Sequence, residues 1–469
     1  MIVDTIIKNA RIYTPCGPIH GGIAIDEGRI VDVASNSALP DADEVIDAQN
    51  KVVIPGLVDP HVHLGSGPPG TPAERVRDDF RTESEGAAWG GVTTFATFFA
   101  SMQPYVGQVE KVITWGNENS LVDFRIHVCV QTERHIEEEP ALFRLGVNWF
   151  KHFYTAYKGE EAEKAGVHSC TGSMLYDSFA FIGRAGFPAL AAIHAEDQDI
   201  IDARTKEVRK RGENTLTAWS DSRPPFAEAM KIDSAARVAI ETGARLYIVH
   251  LSSSEGLETV KYWKKRGARI ICETCPHYLT HDNAMYDRIG VWGKVAPPLR
   301  TSRDQSDLWK AINDGIIECV GTDTVPYNLA EKEQGTGKFG DIWRVLPGFP
   351  NGMQLLLPIM LSEGLHKNRI SLDTLVKVCS ENSSKALGLY PTKGAILPGS
   401  DADLVIVDLN REIRLRLDDL RSRVKDWSIY DGWRFHGMPV MTMLRGKVIV
   451  REAEVVGEVG FGKFIPKIV

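Results

Sequence analysis

Residues 55–64 read PGLVDPHVHL, an apolar run that closes on two histidines separated by one residue. Successive side chains of a β-strand point to opposite faces, so residues two apart share a face. His61 and His63 are therefore expected to point together into one cavity, as paired ligands of a divalent metal ion. One such pair is a weak motif, so the prediction depends on further ligands at the ends of other strands.

Apolar, strand-like runs recur along the chain and alternate with segments of helical period. The eight runs are 53–58, 91–98, 122–131, 146–154, 187–194, 245–252, 269–275 and 316–322. Near-continuously apolar strands that alternate with helices predict an α/β fold, a (β/α)8 TIM-like barrel with its functional residues at the carboxyl ends of the strands. A doubly wound open sheet is the structural alternative.

Both ends of the chain have a different pattern. Residues 1–55 contain short strand-like stretches and turns without a helical period, and residues 399–408 and 440–450 are again strand-like. Neither end is long enough to make a good core alone. We therefore expect residues 1–55 and 390–469, including a C-terminal tail, to form one small β-sandwich domain beside a barrel of residues 56–389.

Composition narrows the classes of partner. The 469 residues carry 54 basic and 62 acidic side chains, a net charge of −8, and no basic block, so neither a nucleic acid nor an anionic membrane is an expected partner. No secretory signal and no apolar run long enough to span a bilayer is evident. The seven cysteines lack the spacing of a disulfide framework. A cytoplasmic location is expected.

Four further predicted strands end in residues that can contribute to a metal site. These residues are Lys151, His194, His250 and Asp323. Each alone has an ordinary explanation: a hydrogen-bonded histidine, a helix N-cap or a lysine that reaches water. Together with the paired histidines they place nitrogen or oxygen ligands at five of eight strand ends, which favours a shared metal centre at the barrel mouth.

Seven stretches, taken in order, form a specific set: 55–63, 150–151, 193–196, 249–253, 275–279, 296–300 and 321–323. In these stretches the chain resembles the amidohydrolase superfamily, and within it the cyclic amidohydrolases, which comprise hydantoinases, dihydropyrimidinases, allantoinases and dihydroorotases. The likeness runs from residue 1 into the tail at 460–464. It implies hydrolysis of a C–N amide bond in a small cyclic substrate, and a homotetramer.

The resemblance also implies six ligands for two divalent metal ions: His61, His63 and Asp323 for one, His194 and His250 for the other, and Lys151 as the bridge. Lys151 would be carbamylated by CO2, because an ammonium has no lone pair whereas a carbamate is an anionic two-oxygen ligand. Imidazole, carboxylate and carbamate without thiolate suit Zn²⁺, and also Mn²⁺, Co²⁺ or Fe²⁺.

Further roles follow from the resemblance. Asp323 would take a proton from the attacking water and pass it to the leaving ring nitrogen. Tyr157 would donate to the oxyanion, although it lies six residues after Lys151 where relatives have five, so Tyr154 remains an alternative. Ala296 and Asn351 occupy the places whose backbone groups hold the substrate in relatives.

Two departures bear on the substrate. Gly65 stands where common dihydroorotases have an arginine that binds the substrate carboxylate, and Thr324 follows Asp323 where a histidine is frequent. Neutral cyclic ureides or imides are therefore expected, with hydantoins or dihydropyrimidines first and with the loop 65–72 and the region of Phe153 facing the substituent. The alternatives are an allantoinase, a dihydroorotase-type enzyme and a non-catalytic scaffold relative.

Overall fold

The computed structural model describes residues 2–68, 71–154 and 168–466, which contain two β-sheets and the helices around one of them. The nine strands of the mixed sheet are β1 (Ile2–Thr14), β2 (Gly17–Asp26), β3 (Arg29–Ala34), β4 (Asp41–Asp47), β5 (Val52–Pro55), β14 (Leu404–Arg414), β15 (Arg434–Leu444), β16 (Lys447–Arg451) and β17 (Glu454–Val455). The eight strands of the other sheet are β6 (Leu57–Val62), β7 (Val92–Phe99), β8 (Asp123–Val130), β9 (Trp149–Phe153), β10 (Leu190–His194), β11 (Leu246–Ile248), β12 (Ile270–Thr274) and β13 (Cys319–Val320).

The α-helices lie mainly between the strands of the eight-stranded sheet. They are α1 (Arg75–Trp89), α2 (Gln108–Asn119), α3 (Glu133–Leu145), α4 (Gly172–Ala185), α5 (Gln198–Lys210), α6 (Leu216–Asp221), α7 (Pro225–Thr242), α8 (Ser254–Lys265), α9 (Pro276–Thr280), α10 (Tyr286–Ile289), α11 (Ser302–Asn313), α12 (Leu329–Glu333), α13 (Gly352–Ile359), α14 (Leu372–Val376) and α15 (Asn382–Leu387). Among the described residues, no helix has the length and apolar character needed to cross a membrane.

The eight-stranded sheet is parallel and follows chain order from β6 to β13. Its two edges meet just after β13, where the Asp323 N–H donates to the His61 carbonyl at 2.8 Å and the His63 N–H donates to the Thr324 carbonyl at 2.8 Å. The sheet is therefore a closed barrel, which confirms the predicted (β/α)8 fold. A doubly wound sheet would reverse strand order and stay open.

Both chain termini supply the mixed sheet, as predicted. β5 lies between β1, its parallel neighbour, and β14, its antiparallel neighbour from the C-terminal part of the chain. The side chains of Ile12, Val53 and Leu404 belong to one buried apolar cluster on this sheet. Residues nearly 400 positions apart thus complete a core that neither end could form alone.

The first predicted strand, 53–58, was wrong in one respect, because it merges the end of β5 with the start of β6. The chain changes sheet at Gly56, whose N–H donates to the Asp403 carbonyl at 2.8 Å, while the Leu57 N–H donates to the Gly91 carbonyl at 2.9 Å. A Cβ atom at Gly56 would lie 2.1 Å from Thr93 Oγ1, so the crossing needs a glycine. An apolar run alone does not reveal such a crossing.

A buried lysine joins the barrel to the mixed sheet. Lys393 Nζ lies 2.5 Å from Asp123 Oδ2 at the start of β8, 2.8 Å from Asp403 Oδ2 and 2.9 Å from Asp401 Oδ2. Arg445 also pairs with Asp123. The three carboxylates could suggest a cation site, but the lysine ammonium already lies among them.

We predict that Lys393→Met destabilises the protein by about 3–5 kcal/mol, because it leaves the buried carboxylates without their main cation. Equilibrium urea unfolding, or the shift of the thermal transition, measures this effect. Lys310→Met is the matched control, since it removes an exposed lysine paired with the exposed Asp314, and we expect a change within about 0.5 kcal/mol. Equal small effects of both substitutions would contradict the structural role of Lys393.

Candidate active site

A cavity opens at the carboxyl ends of the barrel strands. Its lining residues are His63, Ser66, Lys151, Phe153, His194, His250, Val295, Ala296, Asp323, Val325, Tyr327, Pro347 and Gly348. Five of the six predicted metal ligands are in this lining, and the sixth, His61, contacts two of them from below. The residues that the sequence predicts at separate strand ends are thus brought together.

His61, His63 and Asp323 present their ligand atoms to one point. The two Nε2 atoms are 3.2 Å apart, and Asp323 Oδ1 lies 3.2 Å from His61 Nε2 and 3.1 Å from His63 Nε2. A tetrahedral ion with bonds of about 2.0–2.1 Å holds its ligands about 3.3–3.4 Å apart. The donor set therefore fits a divalent metal ion in both chemistry and spacing.

The second group of predicted ligands lies beside the first. The rings of His194 and His250 have centroids 4.6 Å apart, and the His250 ring stacks 5.5 Å from that of His61. His250 Nδ1 is buried and has no hydrogen-bond partner among the described residues. A buried imidazole nitrogen without a partner is costly, which is consistent with a site that binds another group.

Lys151 is the central residue of β9, and its side chain lies inside this arrangement. Its side chain is almost fully buried, and Nζ lies 4.7 Å from the ring centroid of Phe98 and 5.6 Å from that of Phe153. Burial lowers the pKa of Lys151 to about 8, although the nearby carboxylates of Asp323 and Glu273 oppose the shift. At pH 7 the amine of Lys151 is then neutral in about a tenth of the molecules, whereas an ordinary lysine is neutral in less than about 0.1% of them.

Glu273, which sequence analysis did not single out, orients His61 from behind. Its Oε1 accepts a hydrogen bond from His61 Nδ1 at 2.7 Å and one from the His250 N–H at 3.0 Å, and its Oε2 accepts from the Tyr247 hydroxyl at 2.8 Å. The proton on Nδ1 leaves the His61 lone pair on Nε2, which faces His63. The available signal was a charged residue inside the buried strand β12.

Glu196 orients His194 in the way that Glu273 orients His61. Its Oε2 accepts a hydrogen bond from His194 Nε2 at 2.7 Å and from Arg223 at 3.0 Å, and all three side chains are buried. This bond assigns the proton to Nε2, so the lone pair of His194 lies on Nδ1. The two glutamates thus fix which nitrogen each histidine presents.

Two predicted ligands sit at positions of unusual backbone geometry. His250 and Asp323 have positive φ values of 42° and 51°, a region that non-glycine residues rarely adopt. His250 lies two residues after β11, and Asp323 lies three residues after β13. Such geometry is a modest energetic cost that clusters at functional sites, and here it directs ligand side chains into the cavity.

The predicted substrate residues have different positions. Ala296 lines the cavity. Asn351 is buried, donates from Nδ2 to the Val424 carbonyl at 3.0 Å and is not in the cavity lining. The Tyr154 hydroxyl hydrogen bonds with Ser234 Oγ of α7 at 3.1 Å, outside that lining. Tyr157 lies outside the described residues.

Comparison with known proteins points to one family. The sequence model of the amidohydrolase family matches residues 52–449. An L-hydantoinase of Paenarthrobacter aurescens is 32% identical, with 99% of this chain and 98% of that protein covered. A dihydroorotase of Methanothermobacter thermautotrophicus is 30% identical, with 99% and 97% covered.

The fold comparison agrees. The solved structure of L-hydantoinase (dihydropyrimidinase) from Arthrobacter aurescens superposes with a TM-score of 0.90 at 30% identity, covering 99% of this chain and all of that one. The family match covers most of the chain, and these relatives are similar over their full length. The chain therefore belongs to the amidohydrolase family, within the cyclic amidohydrolases.

Proposed function

We propose that this protein hydrolyses the ring C–N amide bond of neutral cyclic ureides or imides, of the hydantoin or dihydropyrimidine type. The observation that carries this proposal is the convergence of four histidines, a lysine and an aspartate at the mouth of one barrel. The full-length similarity to a hydantoinase supports the reaction class. The similarity to a dihydroorotase keeps that activity, with allantoinase, as the alternative.

The residues present would hold two divalent metal ions, most simply Zn²⁺, with Mn²⁺, Co²⁺ or Fe²⁺ as substitutes. His61, His63 and Asp323 would form one ligand group, and His194 and His250 the other. When bound, such a pair supplies an activated water near neutral pH and polarises the carbonyl under attack.

Lys151 is the proposed bridge between the two ligand groups. As an amine it has no hydrogen-bond acceptor among the described residues, and it contacts two aromatic rings. Its lowered pKa supplies the neutral nitrogen with which CO2 reacts, forming a carbamate and releasing a proton. The carbamate would place two oxygens that share one negative charge where the structure otherwise buries an amine.

Asp323 is the proposed proton carrier. It lines the cavity, and its side chain is about 10% exposed, so a water or a substrate bound in the cavity would lie within its reach. Burial acts to raise the pKa of Asp323, but the imidazoles of His61, His63 and His250 outweigh it and hold that pKa well below its usual range. A carboxylate in this place can accept the proton from water and return it to the ring nitrogen as the bond breaks.

A second cavity adjoins the one lined by the predicted ligands and shares His63, Ser66 and Phe153 with it. This second cavity favours an uncharged substituent. It measures about 310 Å³ and is bounded by residues 63–68 and 98–101, among others. No lysine or arginine is in its described lining. A side chain at Gly65 would meet Val76, with the added Cβ 2.9 Å from Val76 Cβ at a φ of 79°, so the arginine of common dihydroorotases has no room here.

Three broader proposals accompany the reaction. Residues 1–55 with 390–469 act as one domain and 56–389 as the catalytic barrel. The assembly would be a homotetramer, as the family resemblance of the sequence implies. Seven free thiols, six of them buried, support a reducing compartment such as the cytoplasm.

We predict ring opening of hydantoin or dihydrouracil, at least tenfold faster than that of dihydroorotate, in a panel that also includes allantoin and phthalimide. Loss of ring-amide absorbance measures each rate. Dialysis against a chelator should abolish the activity, and Zn²⁺, Mn²⁺ or Co²⁺ should restore it as two equivalents bind per chain. No turnover of any compound by protein with two bound metal ions would contradict the proposed function.

Substitution of the proton carrier tests its role. We predict that Asp323→Asn lowers kcat by about 10²–10⁴-fold, because the leaving nitrogen is no longer protonated. The rate is measured at metal concentrations that keep two ions bound. Asp314→Asn, on the barrel exterior, is the control and should match the parent. An Asp323 variant within about tenfold of the parent, with both metals retained, would overturn the assignment.

The carboxylate behind His61 is tested separately. We predict that Glu273→Gln weakens metal binding by about 10–100-fold, because the amide no longer fixes the His61 proton as an anion does. Competition with a chelating dye measures the metal Kd. Tyr247→Phe is the matched control, since it removes another hydrogen bond to Glu273 but leaves His61 untouched. Equal metal affinity in the glutamine variant and the parent would refute this role.

A further inference from the structure

One wall of the cavity is tied together by a buried lysine that no step above uses. Lys332, in α12, is fully buried, and its Nζ donates to the Lys294 carbonyl at 2.7 Å and to the Gly348 carbonyl at 2.7 Å. These carbonyls belong to segments more than 50 residues apart in sequence. The lysine therefore links two loops that would otherwise meet through few bonds.

Both loops reach the cavity next to the atoms that Lys332 holds. Val295 and Ala296 follow Lys294, and Pro347 precedes Gly348, and all of these except Lys294 line the cavity. The Gly348 N–H also donates to the Lys294 carbonyl at 3.0 Å. The Lys294 carbonyl thus accepts from both Lys332 and Gly348, and its position fixes the spacing between the loops.

The environment of Lys332 is unusual for a structural lysine. Among the described residues it forms no ion pair, and its Nζ lies 5.3 Å from the ring centroid of Phe349 and 5.4 Å from that of Trp427. Burial, together with the charge of Lys294, holds the pKa of Lys332 well below its usual range. The neutral amine still has two N–H donors, so both carbonyl bonds persist in either protonation state.

Other side chains hold the same wall through backbone carbonyls. Lys294 Nζ donates to the carbonyls of Ile342 at 2.9 Å and Val345 at 2.7 Å. Trp219 Nε1 donates to the Val295 carbonyl at 2.9 Å. The wall is thus positioned by buried donors and has no regular strand pairing of its own, so its backbone geometry depends on them.

We propose that Lys332 is a positioning residue for substrate binding, which sets the backbone of 295–296 against that of 347–348 so that the cavity wall matches the ring of the substrate. This inference rests on the proposed function, since it concerns how the cyclic amide is held. Lys332 contacts none of the proposed metal ligands in the described hydrogen bonds and ion pairs. Its loss should therefore weaken binding of the substrate and leave the metal centre intact.

The test is Lys332→Met, which keeps most of the apolar stem and removes both donors. We expect the KM for the preferred substrate to rise at least tenfold, with kcat within about threefold of the parent and two metal ions still bound. Such a split indicates lost binding that is equal in the ground state and the transition state. An unchanged KM, or a lost metal ion with a collapsed kcat, would overturn the proposal.

Lys264→Met is the matched control. Lys264, in α8, also donates to a backbone carbonyl, that of Ile316 at 2.7 Å, and it pairs with Glu318. Ile316 and Glu318 precede β13, at the opposite end of that strand from the cavity. It should lower stability without changing KM. A KM increase equal to that of Lys332→Met would show that general destabilisation causes the effect, and would refute the inference.

Trp219→Phe keeps the test decisive if the Lys332 variant does not fold. It removes the bond to the Val295 carbonyl and keeps an aromatic ring, although a smaller one, against Lys294. We expect a smaller rise of KM, about two- to fivefold, in the folded enzyme. No rise would count against the inference. If the parent protein turns over no cyclic amide, the proposed function itself is wrong. If the parent is active but the variants have an unchanged KM, only the positioning role of Lys332 is wrong.

Discussion

The arrangement of the candidate site depends on the lone pairs of His61, His63 and Asp323, which approach one another closely in a buried place. Two imidazole nitrogens and a carboxylate oxygen lie 3.1–3.2 Å apart, and further histidines and a lysine lie beside them. Without a cation, such an arrangement concentrates negative potential and forfeits hydration. Glutamates behind the histidines hold their protons on the outer nitrogens, so the surroundings prepare the inner atoms to bind a dication.

Local patterns in the sequence predicted the barrel and the candidate residues at the strand ends, whereas their assignment as metal ligands came from the family resemblance. Apolar runs that alternate with helical segments specify a parallel sheet, and polar residues at the run ends fall at its carboxyl edge. His61 and His63 share a face because a strand has a period of two. Asp323 lies beside these histidines because the last barrel strand pairs with the first at this point. Periodicity alone does not predict this pairing, but a closed barrel requires it.

Other features depend on contacts distant in sequence and could not be predicted from it. The passage from one sheet to the other at Gly56 is invisible within a continuous apolar run. Glu273 reads locally as a charge inside a strand between two cysteines, and its role appears only when β12 lies behind His61. Lys332 has no local signal, since the carbonyls that it binds come from two separate loops.

X-ray diffraction recorded on both sides of the zinc absorption edge, from crystals grown with Zn²⁺ and bicarbonate, tests the central claim most directly. The account predicts two anomalous peaks among the four histidines, one of them bound by His61, His63 and Asp323, with electron density that continues beyond Lys151 Nζ as a planar carbamate between them. A single peak away from these residues, or no peak together with an unmodified Lys151, would contradict the account.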